Sequence, residues 1–276
     1  MDFWFRRAYV GPLQAAIFDW AGTTVDYGCF APVVVFREVF EQQGVPLTME
    51  QARVPMGLEK KDHIRTIAAM EPVAEAWQAV HGRPWDEADI EALYRAFIPL
   101  QLACLAEYAD LIPGTVEAVA DCRQRGMKIG STTGYNTAMM EVLLPLAAQR
   151  GYAPDSYVCP STVPTGRPAP WMCLQSAMNL RVYPMNAIVK VGDTLPDIDE
   201  GLNAGMWTVG VTKTGNELGL SAGDVAALEP QQLAARLHDI TMRMSRAGAH
   251  YVIESITDLP PVLDELNRRL RAGEQP

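Results

Sequence analysis

The sequence predicts an α/β fold: a doubly wound parallel sheet with a helical domain inserted after its first strand. Three observations carry this. An apolar run, Ala15-Ala16-Ile17-Phe18, ends abruptly in Asp19 and a turn of small and hydroxyl residues, as a strand buried on both faces does. Further short apolar runs end the same way, at Ser131-Thr132-Thr133-Gly134 and at Gly192-Asp193-Thr194, with helical patterns between them. Between Phe30 and about Cys104 the rhythm stops, and only helix-period patterns appear.

Taken in order, Phe36, Val39 and Phe40 repeat at helical spacing until Gly44-Val45-Pro46, and Thr48 is placed to cap the next helix. The segment from Met56 to His63 reads as helical, which would put Met56, Lys60 and His63 on one face. His81-Gly82-Arg83-Pro84 is a loop, and Asp86 to Leu105 is a long amphipathic helix interrupted or kinked near Pro99. Pro113 opens and Gly126 closes the first helix after the insert. Strands follow at Lys128–Thr132, Tyr157–Cys159, Ala187–Val191 and Trp207–Val211; the tail adds helices over 230–247 and 259–272 around a strand at Tyr251–Ile253. The expected division is a core of residues 1–26 and 106–276 and a helical cap of 27–105, lying over the carboxyl edge of the sheet.

Composition bounds the partners. The 276 residues are 49% hydrophobic and 20% charged, with a net charge of -10 and no long basic block, which disfavours nucleic acid and leaves an anionic substrate to local cations. Cys29, Cys104, Cys122, Cys159 and Cys173 are an odd, unpatterned set, as expected of reduced thiols in the cytoplasm. The N-terminal MDFWFRRAYVGP has two arginines with no apolar run behind them, so neither signal peptide nor membrane anchor is expected. Four histidines without metal spacing argue against zinc.

In doubly wound sheets chemistry gathers at the carboxyl ends of strands. Those ends here present Asp19, Thr133, the loop carrying Arg167, and Asp193 with Asp197. Carboxylates with a hydroxyl and one cation are the parts of a Mg²⁺-assisted phosphoryl site. Asp19 would attack phosphorus, Thr133 and Gly134 would bind phosphoryl oxygens, and Arg167 would neutralise developing charge. Bland readings stand beside these: Asp197 as a first-turn acid of a helix, Cys29 as a small apolar filler, Met56 as a core wall, His63 as a structural residue, and Trp20 as packing.

These parts resemble the haloacid dehalogenase superfamily, whose hallmark is an apolar strand ending in D-x-D-G-T. The match here, Asp19-Trp20-Ala21-Gly22-Thr23, has alanine in place of the second aspartate. In the superfamily's phosphatases that aspartate protonates the leaving alkoxide; Ala21 cannot. Lys60, between Glu59 and Lys61 in the insert, offers another route: an amine on a cap facing Asp19 would form a Schiff base with a carbonyl substrate. That imine would accept the electrons of a breaking C–P bond.

Ala21 and Lys60 together, with FDWAGTTVDYG, MGLEKKDH, STTGY, VPTGRPAPWM and KVGDTLPDI, resemble the phosphonatase branch, over residues 16 to 198. The resemblance implies a Rossmann-like core and hydrolysis of phosphonoacetaldehyde to acetaldehyde and phosphate in phosphonate catabolism. Asp19 would be the nucleophile and Lys60 the Schiff-base lysine. Asp19, the Ala21 carbonyl and Asp193 would bind Mg²⁺, with Asp197 at or behind them. Thr133, Gly134 and Arg167 would bind the phosphonate, and Cys29, Met56, His63 and Tyr135 would line the pocket. It further implies a homodimer formed through the cap. Two rivals remain at this stage: a phosphatase or phosphomutase of the same superfamily, and a binding protein that keeps the scaffold without turnover.

Overall fold

A computed structural model describes residues 8–276; residues 1–7, the start of the expected core segment, lie outside the described residues. The first strand, β1, spans Ala15–Phe18, and five helices follow it: α1 (Phe30–Glu41), α2 (Met49–Arg53), α3 (Lys60–Ala68), α4 (Glu71–His81) and α5 (Glu87–Cys104). Alternation then resumes with α6 (Thr115–Gln124), β2 (Lys128–Thr132), α7 (Thr137–Gln149), β3 (Ser156–Val158), α8 (Trp171–Leu180), β4 (Ile188–Gly192), α9 (Leu195–Asn203) and β5 (Trp207–Val211). The tail carries α10 (Ala222–Ala227), α11 (Pro230–Arg246), β6 (Tyr251–Ile253) and α12 (Leu259–Arg271).

All six strands are parallel, in the order β3-β2-β1-β4-β5-β6. Order reverses at β1, between β2 and β4, and such a switch point opens a crevice at the carboxyl edge. Phe18 pairs with Ser131 on one side and Val191 on the other, so the residues that follow these strands meet at that crevice. Strand side chains alternate between faces. Ala16 and Phe18 join the larger apolar cluster, while Ala15 and Ile17 join a second one with Cys173, Ala177 and Met206. Both faces of β1 are therefore covered, which is why it reads as an unbroken apolar run.

The insert is a helical cap. α1 packs on α5, and α3 packs on α5; Phe36, fully buried, stacks between the His63 ring at 3.7 Å and the Phe97 ring at 4.5 Å. Two capping boxes fix helix starts, Thr48 with Gln51 and Asp86 with Asp89. Trp20 packs as expected, buried edge-on against Tyr152 at 5.1 Å.

Three local readings are corrected. The helix expected from Met56 begins only at Lys60, because Gly57 sits at φ 94° in a turn that brings the chain against Thr194. Met56 and Lys60 are therefore not two positions on one helix face. α5 runs through Pro99 without interruption, one missing amide being absorbed within a long packed helix. α6 starts at Thr115 rather than Pro113, because Gly114 takes φ 89° where a side chain would strike Thr257. Among the described residues no helix is long and apolar enough to cross a membrane.

Phe36 anchors three cap elements, so Phe36→Ala is expected to lower the unfolding free energy by about 3–5 kcal/mol, read by denaturant titration.

Candidate active site

The turn after β1 is built by returning amides. The N–H groups of Thr23, Thr24 and Val25 all donate to Trp20 O, at 3.2, 2.8 and 3.0 Å. Gly22 adopts φ 85° with its α-carbon against the Asp193 carboxylate, where any Cβ would collide. The two threonines lock this arrangement: Thr24 Oγ1 donates to Asp19 O at 2.9 Å, and Thr23 Oγ1 donates to Asp193 Oδ1 at 3.0 Å. The AGTT signature thus binds the ends of β1 and β4 together.

Four buried carboxylates surround this point: Asp19, Asp193, Asp197 and Glu200. Arg167 is the common partner of three of them. It lies within 2.7 Å of Asp19 Oδ1, 3.0 Å of Asp197 Oδ1 and 2.9 Å of Glu200 Oε2, and it also donates to Thr132 Oγ1 at 2.9 Å. Lys190, fully buried in β4, donates to Asp197 Oδ1 at 2.6 Å. Asp197 is further occupied at its other oxygen, which accepts from the Thr194 hydroxyl at 2.6 Å and the Thr194 N–H at 3.2 Å as the capping box of α9. Its carboxyl is held below the usual range because Arg167 and Lys190 together outweigh the effect of burial.

Asp193 differs. Its hydrogen-bond donors are neutral, the Thr23 hydroxyl and the Asn216 N–H at 2.8 Å. Burial first, then the charges of Asp19 and Asp197, push its carboxyl well above the usual range. Asp19 is also raised, chiefly by burial, with Arg167 opposing. Carboxylate oxygens of Asp19, Asp193 and Asp197 lie within 4.8 Å of one another. Two hard, under-compensated carboxylates side by side match the donor set of a hard divalent cation. The pair with the least cationic compensation is Asp19 and Asp193, since Asp197 already meets both Arg167 and Lys190.

At the end of β2, Thr133 Oγ1 accepts from the Tyr135 N–H at 3.1 Å. Gly134 leaves space that a Cβ would fill at 2.5 Å from the Leu58 carbonyl. Gly57 and Gly134 therefore let cap and core backbones touch. The cap lysines divide by direction. Lys61 points out, paired with Glu91 at 2.6 Å. Lys60 is buried, its Nζ 4.7 Å above the Tyr135 ring and 5.6 Å from the Phe36 ring. Among the described residues it makes no hydrogen bond or ion pair. Burial lowers its pKa to about 8, against the partly offsetting pull of Asp19 and Asp26.

One small cavity, with about 20 Å³ of free space, is lined by Asp19, Ala21, Cys29, Met56, Lys60, Thr133, Gly134, Tyr135 and Arg167. Asp193 and Asp197 are not part of this lining, though carboxylate oxygens of both lie within 4.8 Å of one on Asp19. His63 lies behind it: its Nε2 is 2.9 Å from Ala52 O, and burial holds the ring neutral, well below the usual histidine range.

Several residues escaped the sequence reading. Glu200 follows Asp197 by three positions and so shares its helix face, a usable signal. Lys190 is a charge inside an apolar strand run, another. Arg53 and Asn216 carried no signal.

A doubly wound sheet that delivers a buried strand-end aspartate paired with an arginine, and a second aspartate from the neighbouring strand, defines a hydrolase core with phosphoryl-transfer chemistry. The haloacid dehalogenase-like hydrolase family model matches residues 13–205, and the chain belongs to that family. Within it the chain is 51% identical, over 98% of its length and 96% of the relative's, to a protein of Nitratidesulfovibrio vulgaris named phosphonoacetaldehyde hydrolase. It is 52% identical to a phosphonoacetaldehyde hydrolase-like protein of Syntrophobacter fumaroxidans, covering 97% of each chain. A phosphonoacetaldehyde hydrolase-like protein from Oleispira antarctica has the same fold, with TM-score 0.98, 43% identity and full coverage of both chains.

If Asp19 and Asp193 hold the cation, Mg²⁺ at a hundred times its Kd stabilises the protein by about 2.7 kcal/mol. Thermal unfolding with and without Mg²⁺ should show this shift, and Asp193→Asn should remove most of it.

Proposed function

We propose that the chain hydrolyses the C–P bond of phosphonoacetaldehyde, releasing acetaldehyde and phosphate. The observation that carries this reading is Lys60: a buried, unpaired amine with a pKa of about 8, in one cavity with Asp19, Arg167 and Thr133. The names of the full-length relatives support the substrate. Ala21, whose side chain cannot donate a proton, supports a leaving group that needs none.

The free amine of Lys60 attacks the aldehyde carbon, and loss of water leaves a protonated imine. Arg167 and the Thr133–Gly134 turn hold the phosphonate oxygens. Asp19 Oδ1 is engaged by Arg167, which leaves Oδ2 to attack phosphorus in line. The C–P electron pair moves into the imine and gives an enamine, while the phosphoryl group stays on Asp19. Protonation of the enamine carbon restores the imine, and water releases acetaldehyde and Lys60. A second water cleaves the aspartyl phosphate. Mg²⁺, held by Asp19, Asp193 and the Ala21 carbonyl, would supply charge neutralisation on the phosphoryl oxygens. Residues 27–105 act as the cap over a core of 1–26 and 106–276, and the narrow cavity excludes bulk water from the first step. We also assign a cap-mediated homodimer and, from five free cysteines, a reducing cytoplasmic setting.

The amine acts when unprotonated. At pH 7 a lysine of pKa about 8 is about one-tenth free amine, against roughly 1 in 3,000 for an ordinary lysine. Phosphate release at limiting substrate is therefore expected to rise as pH rises towards about 8, then level. Lys60→Arg should reduce it by at least about a thousandfold. A Lys60→Arg variant with full turnover would sink the Schiff-base route and favour an ordinary phosphatase.

A further inference from the structure

The loop after β5, residues 212–221, touches the turn after β1, the Asp193 carboxylate and the cap. Thr214 O accepts from the Gly28 N–H at 2.8 Å, and the Thr214 hydroxyl donates to Gly22 O at 2.9 Å. The Asn216 N–H donates to Asp193 Oδ2 at 2.8 Å. The Asn216 side chain pairs with the cap in both directions: its Oδ1 accepts from Arg53 Nη1 at 3.1 Å, and its Nδ2 donates to Arg53 O at 3.2 Å. Arg53 ends α2 of the cap. The same Nη1 donates to Gly28 O at 2.7 Å, where the chain enters the cap, and the guanidinium lies over the Phe30 ring at 4.8 Å. Gly219, at φ 64°, makes room: a Cβ there would approach Arg53 Nε at 2.7 Å.

We infer that Arg53 and Asn216 are a positioning pair that latches the cap shut and ties that closure to the placement of Asp193. The amide is read at both ends, so few other pairs of side chains would fit. Arg53 touches cap, entry turn and core loop at once, so it engages only when all three are in register. Asn216 offers its side chain to the cap and its backbone N–H to Asp193. Lifting the cap removes the side-chain partner and loosens the residue that orients the carboxylate. Lys60 and Asp193 then reach their working positions in one event. This inference rests on the proposed role of the cap lysine, but its first readout does not use that reaction.

Hydrogen exchange on the substrate-free protein is measured for wild type, Arg53→Ala, Asn216→Ala and the double variant. Amides of residues 28–31 and 49–53 are expected to exchange about tenfold faster in each variant, with distant strands unchanged. Mg²⁺ affinity by calorimetry should fall several-fold in Asn216→Ala. In phosphate release each single variant should lose about tenfold in kcat/KM, and the double variant no more than either, as for coupled residues. Arg53→Lys, which keeps one donor for Gly28, should recover part of the loss and carries the cycle if Arg53→Ala fails to fold. Unchanged exchange at both segments, or additive losses in the double variant, would overturn the latch. A wild type that releases no phosphate would overturn the proposed substrate and leave the exchange result to decide the latch.

Discussion

The site is organised by the burial of Asp19, Asp193, Asp197 and Glu200 around Arg167. Carboxylates taken out of water are costly, and breaking one buried pair typically costs about 3–5 kcal/mol because the partner is left uncompensated. Arg167 answers three of the four and Lys190 supports two of those. This network fixes where the Arg167 loop lies, how α9 starts and which oxygen of Asp19 is free. It also leaves the shortage of positive charge in one place. Asp193 has only neutral donors among the described residues, and it faces Asp19. The structure therefore concentrates its unmet demand for a cation beside the strand end that presents the nucleophile proposed here.

The cap adds a second, opposite constraint. A lysine buried without a carboxylate partner loses hydration and gains little, so its ammonium form is disfavoured. Phe36 and Tyr135 give Lys60 two ring faces instead of a counter-ion, a weaker compensation. Gly57 and Gly134 make this possible by allowing the cap to approach within backbone contact of the core. The core thus gathers carboxylates short of a cation, while the cap brings an amine whose charged form is disfavoured.

Much of this was legible in the sequence because strand ends announce themselves. Apolar runs that stop at Asp19, Thr133 and Asp193 located the crevice, and helix-only periodicity located the cap. Lys60 lines the cavity while Lys61 pairs outward with Glu91, but the helix expected from Met56 starts only at Lys60. A positive-φ glycine stops a helix for reasons of contact with Thr194, and that contact is 137 positions away by the numbering of the two residues. The Arg53–Asn216 pair spans 163 positions and belongs to no periodic pattern. Glu200 and Lys190 were within reach of the pattern, as an i, i+3 neighbour of Asp197 and as a charge in a central strand, but their roles depend on where Arg167 folds back.

The central claim is that Lys60 holds the substrate covalently while Asp19 takes the phosphoryl group. Borohydride reduction during turnover tests it most directly, because it converts a lysine imine into a stable secondary amine. Peptide mass spectrometry after incubation with phosphonoacetaldehyde, Mg²⁺ and borohydride should find a two-carbon adduct on the peptide bearing Lys60, and none in Lys60→Arg. Phosphate release without any adduct at Lys60 would contradict the account.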